Sequence, residues 1–410
     1  MYRSHHPNDP GMHNMASNDS HTRVTYQENP GIMQRIQSSF AASLVGIGLV
    51  LAAFPVLYWN EGRAVQTSLS LDEGLRAVIP LHSINEINRK NQEKLVHLVG
   101  HLHTDKVLSD ADYGVAVKAV KLKREVEMYQ WVEHSSTREY DEGDRKRVET
   151  TYSYNKEWLG HIVNSNQFDN PHGHQNPTSM AVSSQTQEAA PVHVGAFTLS
   201  RGLISKIDEF HPLPAKSAPS GKDVKVVDGI FYHSLNGPYN PTVGDVRVRF
   251  SFAGFCGAAG SQLSEPMTVS IVARQHGGTL SYYRTQSGDT LELLYPGEMT
   301  AKEIFYAEHS ANSVLTWVLR VVGWFLMFLG FLLMTSILTT LVSWLPIIRE
   351  IVGLGVTLIC FCLATSFSLV TIAIGWIAHR PVLGVALLAA AAVPFYLSRQ
   401  RNRKNKESKY

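Results

Sequence analysis

The chain has 410 residues, with 37 Lys and Arg against 35 Asp and Glu and a formal net charge of +2 at pH 7. Its long central stretch, 61–319, carries 25 basic and 30 acidic residues, so it lacks the basic face that phosphate binding needs, which excludes nucleic acid as a partner. Cys256 is the one cysteine in that stretch, which excludes an intrachain disulfide there.

Residues 1–30 are rich in His, Asn, Ser and Pro, have few apolar residues and show no periodicity. That composition predicts a disordered tail, extended here to residue 37. His5, His6, His13 and His21 fall in it and read as solvated side chains. The apolar run Phe40–Trp59 follows. Crossing a hydrocarbon core of about 30 Å takes about 20 apolar residues, so 38–59 is assigned to a transmembrane helix. A cleaved signal peptide is the competing reading. The run starts too far from Met1 and ends in aromatics and Asn60-Glu61-Gly62-Arg63, with no small-residue cleavage site. Gly46 and Gly48, each four residues from an alanine, are candidates for close helix packing.

Residues 60–320 read as one large strand-rich α+β domain. Ser70-Leu71-Asp72-Glu73 has capping-box spacing and predicts a short helix start. Leu95–Leu102 predicts a strand. Val120–Glu133 alternates apolar residues with a period of two, and so does Val148–Trp158, so the pair predicts a hairpin with a long loop. Residues 164–192 predict an irregular connection, and Gly202–Phe210 a short helix. In Asp245–Phe252 the residues Val246, Val248, Phe250 and Phe252 share one face, which predicts a half-buried strand. Met267–Gln275 and Thr279–Arg284 predict a second hairpin, and Leu291–Tyr295 a short strand. Thr300-Ala301-Lys302-Glu303 is a second capping box, opening a helix that runs past Trp317 and Arg320 into the membrane.

Three apolar blocks then predict transmembrane helices at 321–344, 351–377 and 381–397. The whole reads as an α-helical membrane protein with four transmembrane helices plus a large strand-rich α+β lumenal domain. The tail 398–410 holds six Lys and Arg against Glu407, which the positive-inside rule places in the cytosol. Four spans return the N-terminus to that side and leave 60–320 in the lumen. The only Asn-x-Ser/Thr sequon, at Asn18, falls in the tail, so the protein is expected to be unglycosylated. Arg399, Arg401, Arg403 and Lys404 are candidate contacts to anionic membrane lipids. In the third span, Thr365, Ser366 and Ser368 are candidates for hydrogen bonds between helices.

Enzyme signatures are thin: there is no His-Glu-x-x-His, Gly-x-Ser-x-Gly, Walker A or Cys-x-x-Cys pattern. His97, His101 and His103 share strand parity, which leaves a lumenal metal-dependent enzyme as the weakest reading. The span interiors carry no ionisable residue, so a channel would lack its usual charged ring. No enzyme, no cofactor and no small-molecule substrate is expected.

The ordered segments also carry a resemblance. Asn60-Glu61-Gly62-Arg63, Leu108-Ser109-Asp110, Val126-Glu127-Met128-Tyr129-Gln130-Trp131-Val132-Glu133 and Tyr152-Ser153-Tyr154-Asn155 come first. Asn176-Pro177, Phe231-Tyr232-His233-Ser234, Val243-Gly244-Asp245 and Ser287-Gly288-Asp289-Thr290-Leu291 follow, then Ala364-Thr365-Ser366, Gly375-Trp376 and Arg380-Pro381. With these segments in this order the chain resembles the transmembrane protein forty-three (LUMA) family. The resemblance implies a four-span protein of the endoplasmic reticulum and inner nuclear membrane that organises membrane protein complexes. It further implies self-association, association with emerin and lamins, retention of emerin at the nuclear envelope, and links to innate-immune and NF-κB signalling. A gap-junction-associated conductance at the cell membrane is the alternative it carries. It implies no catalytic residues.

Overall fold

The computed structural model describes residues 19–28, 31–143, 145–219, 223–234, 236–257, 265–337 and 346–380. Along the chain the principal elements are β1 (Asp19–Glu28), α1 (Ile32–Ala77), β2 (Leu95–His103), β3 (Ala119–Asp141), β4 (Arg145–Leu159), α2 (Arg201–Ser205), β5 (Ile230–His233), β6 (Val246–Phe255), β7 (Thr268–His276), β8 (Leu293–Pro296), α3 (Ala301–Met334) and α4 (Pro346–His379). They fall into two compact units, between which the stretch 60–320 is divided. One unit takes residues up to Asn29, Thr104–Val192 and Ile207–Pro266; the other takes Pro30–His103, His193–Lys206 and the chain from Met267.

The first unit is organised by an eight-stranded sheet with β1, β4, β3, β6 and β5 in that order. Alternation fixes its core. Val246, Val248, Phe250 and Phe252 of β6 are buried together with Leu122, Val126, Met128 and Phe231, as the period of two predicts. Tyr113 sits 5.0 Å from Phe231 and 5.5 Å from Phe250, ring centre to ring centre, and burial pushes its hydroxyl up to about 12. On the opposite face of β6, Arg247 donates to the Glu127 carboxylate at 2.6 Å and Arg249 donates to the same oxygen. Burial works to raise the Glu127 carboxyl, but the two guanidinium bonds outweigh it and hold the group below the usual carboxylate range.

Two expectations are corrected here. The hairpin has no long loop, because β3 and β4 stay paired from Met128 with Leu159 to Asp141 with Lys146. Its outer half is solvated and held by cross-strand polar pairs such as Thr137 with Thr150 at 3.1 Å and Lys146 with Glu139 at 3.0 Å. On the β3 side, His134–Asp141 is exposed throughout, so no burial alternation marks it as strand. Nor is the N-terminal tail disordered throughout: Asp19–Glu28 forms β1 against the edge of β4. Its main chain finds a ready ladder, which composition does not reveal.

In the second unit, β2 and β7 form the antiparallel centre of a seven-stranded sheet, with Leu98 opposite Ile271. Leu71 of α1, Leu95, Val272, Leu291, Leu293, and Ile304 and Phe305 of α3 share one core cluster. Both long helices thus bury one end on the sheet. α1 is a single helix of 46 residues. No new helix starts at Ser70, whose hydroxyl is fully buried and 2.9 Å from that of Thr285 instead of capping a helix. The predicted helix 202–210 shortens to α2, capped by Ser200.

The capping box at Thr300 and Glu303 is formed, and α3 runs unbroken from Ala301 to Met334. Thr300→Ala removes the cap and is expected to cost about 1 kcal/mol, while Thr300→Ser keeps it. Thermal unfolding of the detergent-solubilised protein measures the difference.

Among the described residues three helices are long and apolar enough to cross a membrane: Ile36–Ala77, Ala301–Met334 and Leu354–His379. The expected fourth span, 381–397, and the basic tail lie outside the described residues.

Candidate functional site

The three long helices meet along a seam. The inward positions of α1 are Ser39, Ser43, Gly46, Val50, Ala53, Leu57 and Asn60, and α3 answers with Thr316, Arg320, Gly323, Met327 and Gly330. Steps of three and four residues keep one stripe of each helix facing its partner. At one end of the seam, a Cβ added to Gly46 would lie 2.5 Å from the Gly330 carbonyl oxygen, so the two backbones touch. Ser43 donates to the carbonyls of Leu333 and Met334 at 3.2 and 3.1 Å, and Ser336 donates to that of Ser39 at 3.1 Å. These hydroxyls find acceptors in the facing backbone, where water is excluded.

At the other end, next to the sheet, the seam turns polar. Glu61 is 1% exposed and accepts both arms of the Arg320 guanidinium, at 2.7 and 2.8 Å. Asn60 is fully buried and donates to the Thr316 carbonyl at 3.1 Å. Arg63 donates to Asn312 at 2.9 Å and to the Thr316 hydroxyl at 3.0 Å. α4 closes the group. A Cβ at Gly62 would come within 2.7 Å of the His379 ring, and one at Gly375 within 3.0 Å of Glu61 Cβ. Arg320 lies over the Trp317 ring and Arg380 over that of Trp376, at 4.8 and 5.5 Å. A cavity of about 260 Å³ opens among Glu61, His309, Asn312, Arg320, Trp376 and Arg380. Chemically this is a polar lock: a bidentate ion pair and fixed amides hold three helices in register where they leave the apolar zone. Tryptophan and arginine at its rim suit the interfacial level of a bilayer.

Sequence reasoning noted Asn60–Arg63 and Arg320 separately and missed that they meet. A signal existed. Asn312, Thr316 and Arg320 are spaced four apart, and Asn60 and Arg63 three apart, each set on one helical face beside an apolar run.

The packing candidates part company. Gly46 is at the helix crossing, whereas Gly48 is exposed with nothing within 4 Å of an added Cβ. Thr365 accepts from the Trp324 indole at 3.1 Å, and Ser368 donates to the Met327 sulfur at 3.3 Å, both across the α3–α4 contact. Ser366 is exposed. Arg399, Arg401, Arg403 and Lys404 lie outside the described residues.

The histidines of β2 do not converge on a metal. His97 is 2.9 Å from the Met299 carbonyl oxygen, His101 pairs with Thr268 at 3.1 Å, and no group of three metal-ligating side chains occurs among the described residues. Burial holds the His97 imidazole below its ordinary value.

A sequence profile of the family described as Transmembrane protein 43 matches residues 128–381. The mouse protein named Transmembrane protein 43 is 45% identical over 387 residues, which cover 94% of this chain and 96% of its own. The human protein of that name is 44% identical over 382 residues, covering 93% and 95%. A Drosophila melanogaster protein named Transmembrane protein 43 homolog is 35% identical over 373 residues, covering 89% and 96%. No solved structure matches. The chain belongs to the transmembrane protein 43 family.

Proposed function

We propose that this member of the transmembrane protein 43 family is a non-enzymatic, multi-pass scaffold of the endoplasmic reticulum and inner nuclear membrane. It organises membrane protein complexes, associates with further copies of itself and with emerin and lamins, and helps to retain emerin at the nuclear envelope. Residues 60–320 face the lumen, both termini face the cytosol or nucleoplasm, and 381–397 completes the fourth span.

The observation that carries this reading is the polar lock. Bidentate pairing of Glu61 with Arg320, at the junction of the helices with the sheet, makes a stiff mount and leaves other faces of the helices for association. Those faces are apolar: Leu51, Val321, Leu354, Leu358 and Leu369 are each at least 60% exposed and suit lipid or the helices of other membrane proteins. Two of the three hydroxyls of α4 singled out for helix packing, Thr365 and Ser368, serve helix contacts, which supports the scaffold over the alternative of a channel.

Proximity labelling in intact cells tests it, with the labelling enzyme inserted in turn at the β3–β4 turn and after Tyr410. Different protein sets from the two positions, with nuclear-envelope proteins prominent from the C-terminal fusion, are the expected result. Identical sets, or neighbours dominated by plasma-membrane channel proteins, would overturn it.

A further inference from the structure

β1 lies along the outer edge of β4 in ten consecutive antiparallel pairs, from Asp19 opposite Tyr154 to Glu28 opposite Arg145. Side chains fix this register as well as main chain. The Asp19 carboxylate is 2.8 Å from Nε2 of His174, a ring only 2% exposed, whose Nδ1 is 2.9 Å from the Asn170 carbonyl oxygen and which stacks on Tyr154 at 3.9 Å. Two and four residues on, His21 and Arg23 bond the two oxygens of Asp169 at 2.7 and 2.8 Å. Asp169 is itself placed by its backbone N–H, which donates to Glu133 at 2.6 Å, and Glu133 also accepts from the Tyr154 hydroxyl at 2.8 Å. Toward the turn, Arg145, Lys146 and Arg147 stand opposite Glu28, Gln27 and Tyr26. The edge therefore reads a strand that is acidic first, basic at the third and fifth positions, and acidic at the end.

Connectivity sets this pairing against the membrane. Residues 19–28 precede the apolar run 40–59, residues 145–154 follow it, and no second apolar run lies between them. A bilayer around 40–59 puts the two strands on opposite sides, since a polar strand does not enter hydrocarbon. The segment that fits this edge is then out of its reach.

We propose that in the membrane-embedded protein the β4 edge, Arg145–Tyr154, is a strand-docking site for an extended segment of a partner protein with the charge order acidic, any, His, any, Arg. Main-chain ladder bonds supply affinity, and the buried His174 and the Asp169 carboxylate set the register. This deepens the scaffold reading and rests on it, naming where one partner docks.

The test uses the full chain reconstituted in nanodiscs, where both membrane faces are accessible, and a fluorescent peptide of sequence DSHTRVTYQE as probe. Saturable binding is expected, with a scrambled peptide binding at background. Asp169→Asn, or Asn in place of the first peptide residue, should each weaken binding about tenfold, the loss of one charge-assisted bond. Equal binding of the scrambled peptide, no binding, or binding indifferent to Asp169→Asn would overturn the proposal. So would a disulfide forming within the chain of a Thr22→Cys, Thr151→Cys variant in nanodiscs, because β1 would then fill its own edge in the membrane. An unchanged melting temperature for Asp169→Asn separates lost docking from lost folding. Peptide binding can fail while the labelling result stands, so the two readings fall separately.

Discussion

Glu61→Ala is expected to destabilise the detergent-solubilised protein by about 3–5 kcal/mol, read as a fall in melting temperature on the order of 10 °C. The size comes from what the change leaves behind. Glu61 is 1% exposed and holds both arms of Arg320, whose side chain is 20% exposed. Removing the carboxylate leaves a four-fifths buried guanidinium beside Thr316, Trp376 and the like-charged Arg380 with its bidentate partner gone. The double variant Glu61→Gln, Arg320→Gln provides the decisive comparison. Two neutral side chains of similar shape no longer bury an unpaired charge, so the double variant should be more stable than Glu61→Ala and more stable than Arg320→Gln alone. A double variant whose loss equals the sum of two large single losses would show that the pair does not act as a unit.

Gly46→Leu should be nearly as damaging, while Gly48→Leu should change stability by less than about 0.5 kcal/mol. The contrast follows from neighbours. A Cβ at Gly46 meets the Gly330 carbonyl oxygen at 2.5 Å and the Met334 nitrogen at 2.9 Å, which are backbone atoms that cannot swing aside. The helices must separate, which strips Ser43 and Ser336 of their acceptors across the seam. Overpacking costs about 1–3 kcal/mol, and the lost hydroxyl bonds add to it. Melting temperatures of the two variants in one detergent measure this directly. Equal loss from both would mean that α1 and α3 do not cross at Gly46.

The candidate site was legible in part. Its residues stood out singly, since charges and amides beside apolar runs are rare, but their partnership joins positions as far apart as 259 residues. The heptad-like stripe of α1 is almost invisible within Phe40–Trp59, because all but Ser43 are apolar or small whether they face lipid or protein. Gly46 and Gly48 therefore looked equivalent, and only the crossing point distinguishes them. The outer half of β3, His134–Asp141, failed differently: both its faces are solvated, so no alternation announced it.

The sequence by itself determined that the chain lives in a membrane, because crossing hydrocarbon demands a contiguous apolar run and nothing distant can hide one. It also determined the buried face of β6, through strict alternation, and the start of α3, through a cap whose partners lie three residues apart. Tertiary structure alone decided the division of 60–320 between two units and the locking of Glu61 to Arg320. Each of these depends on pairing between segments far apart in the chain, and main-chain edges and ion pairs leave no periodic trace in either partner.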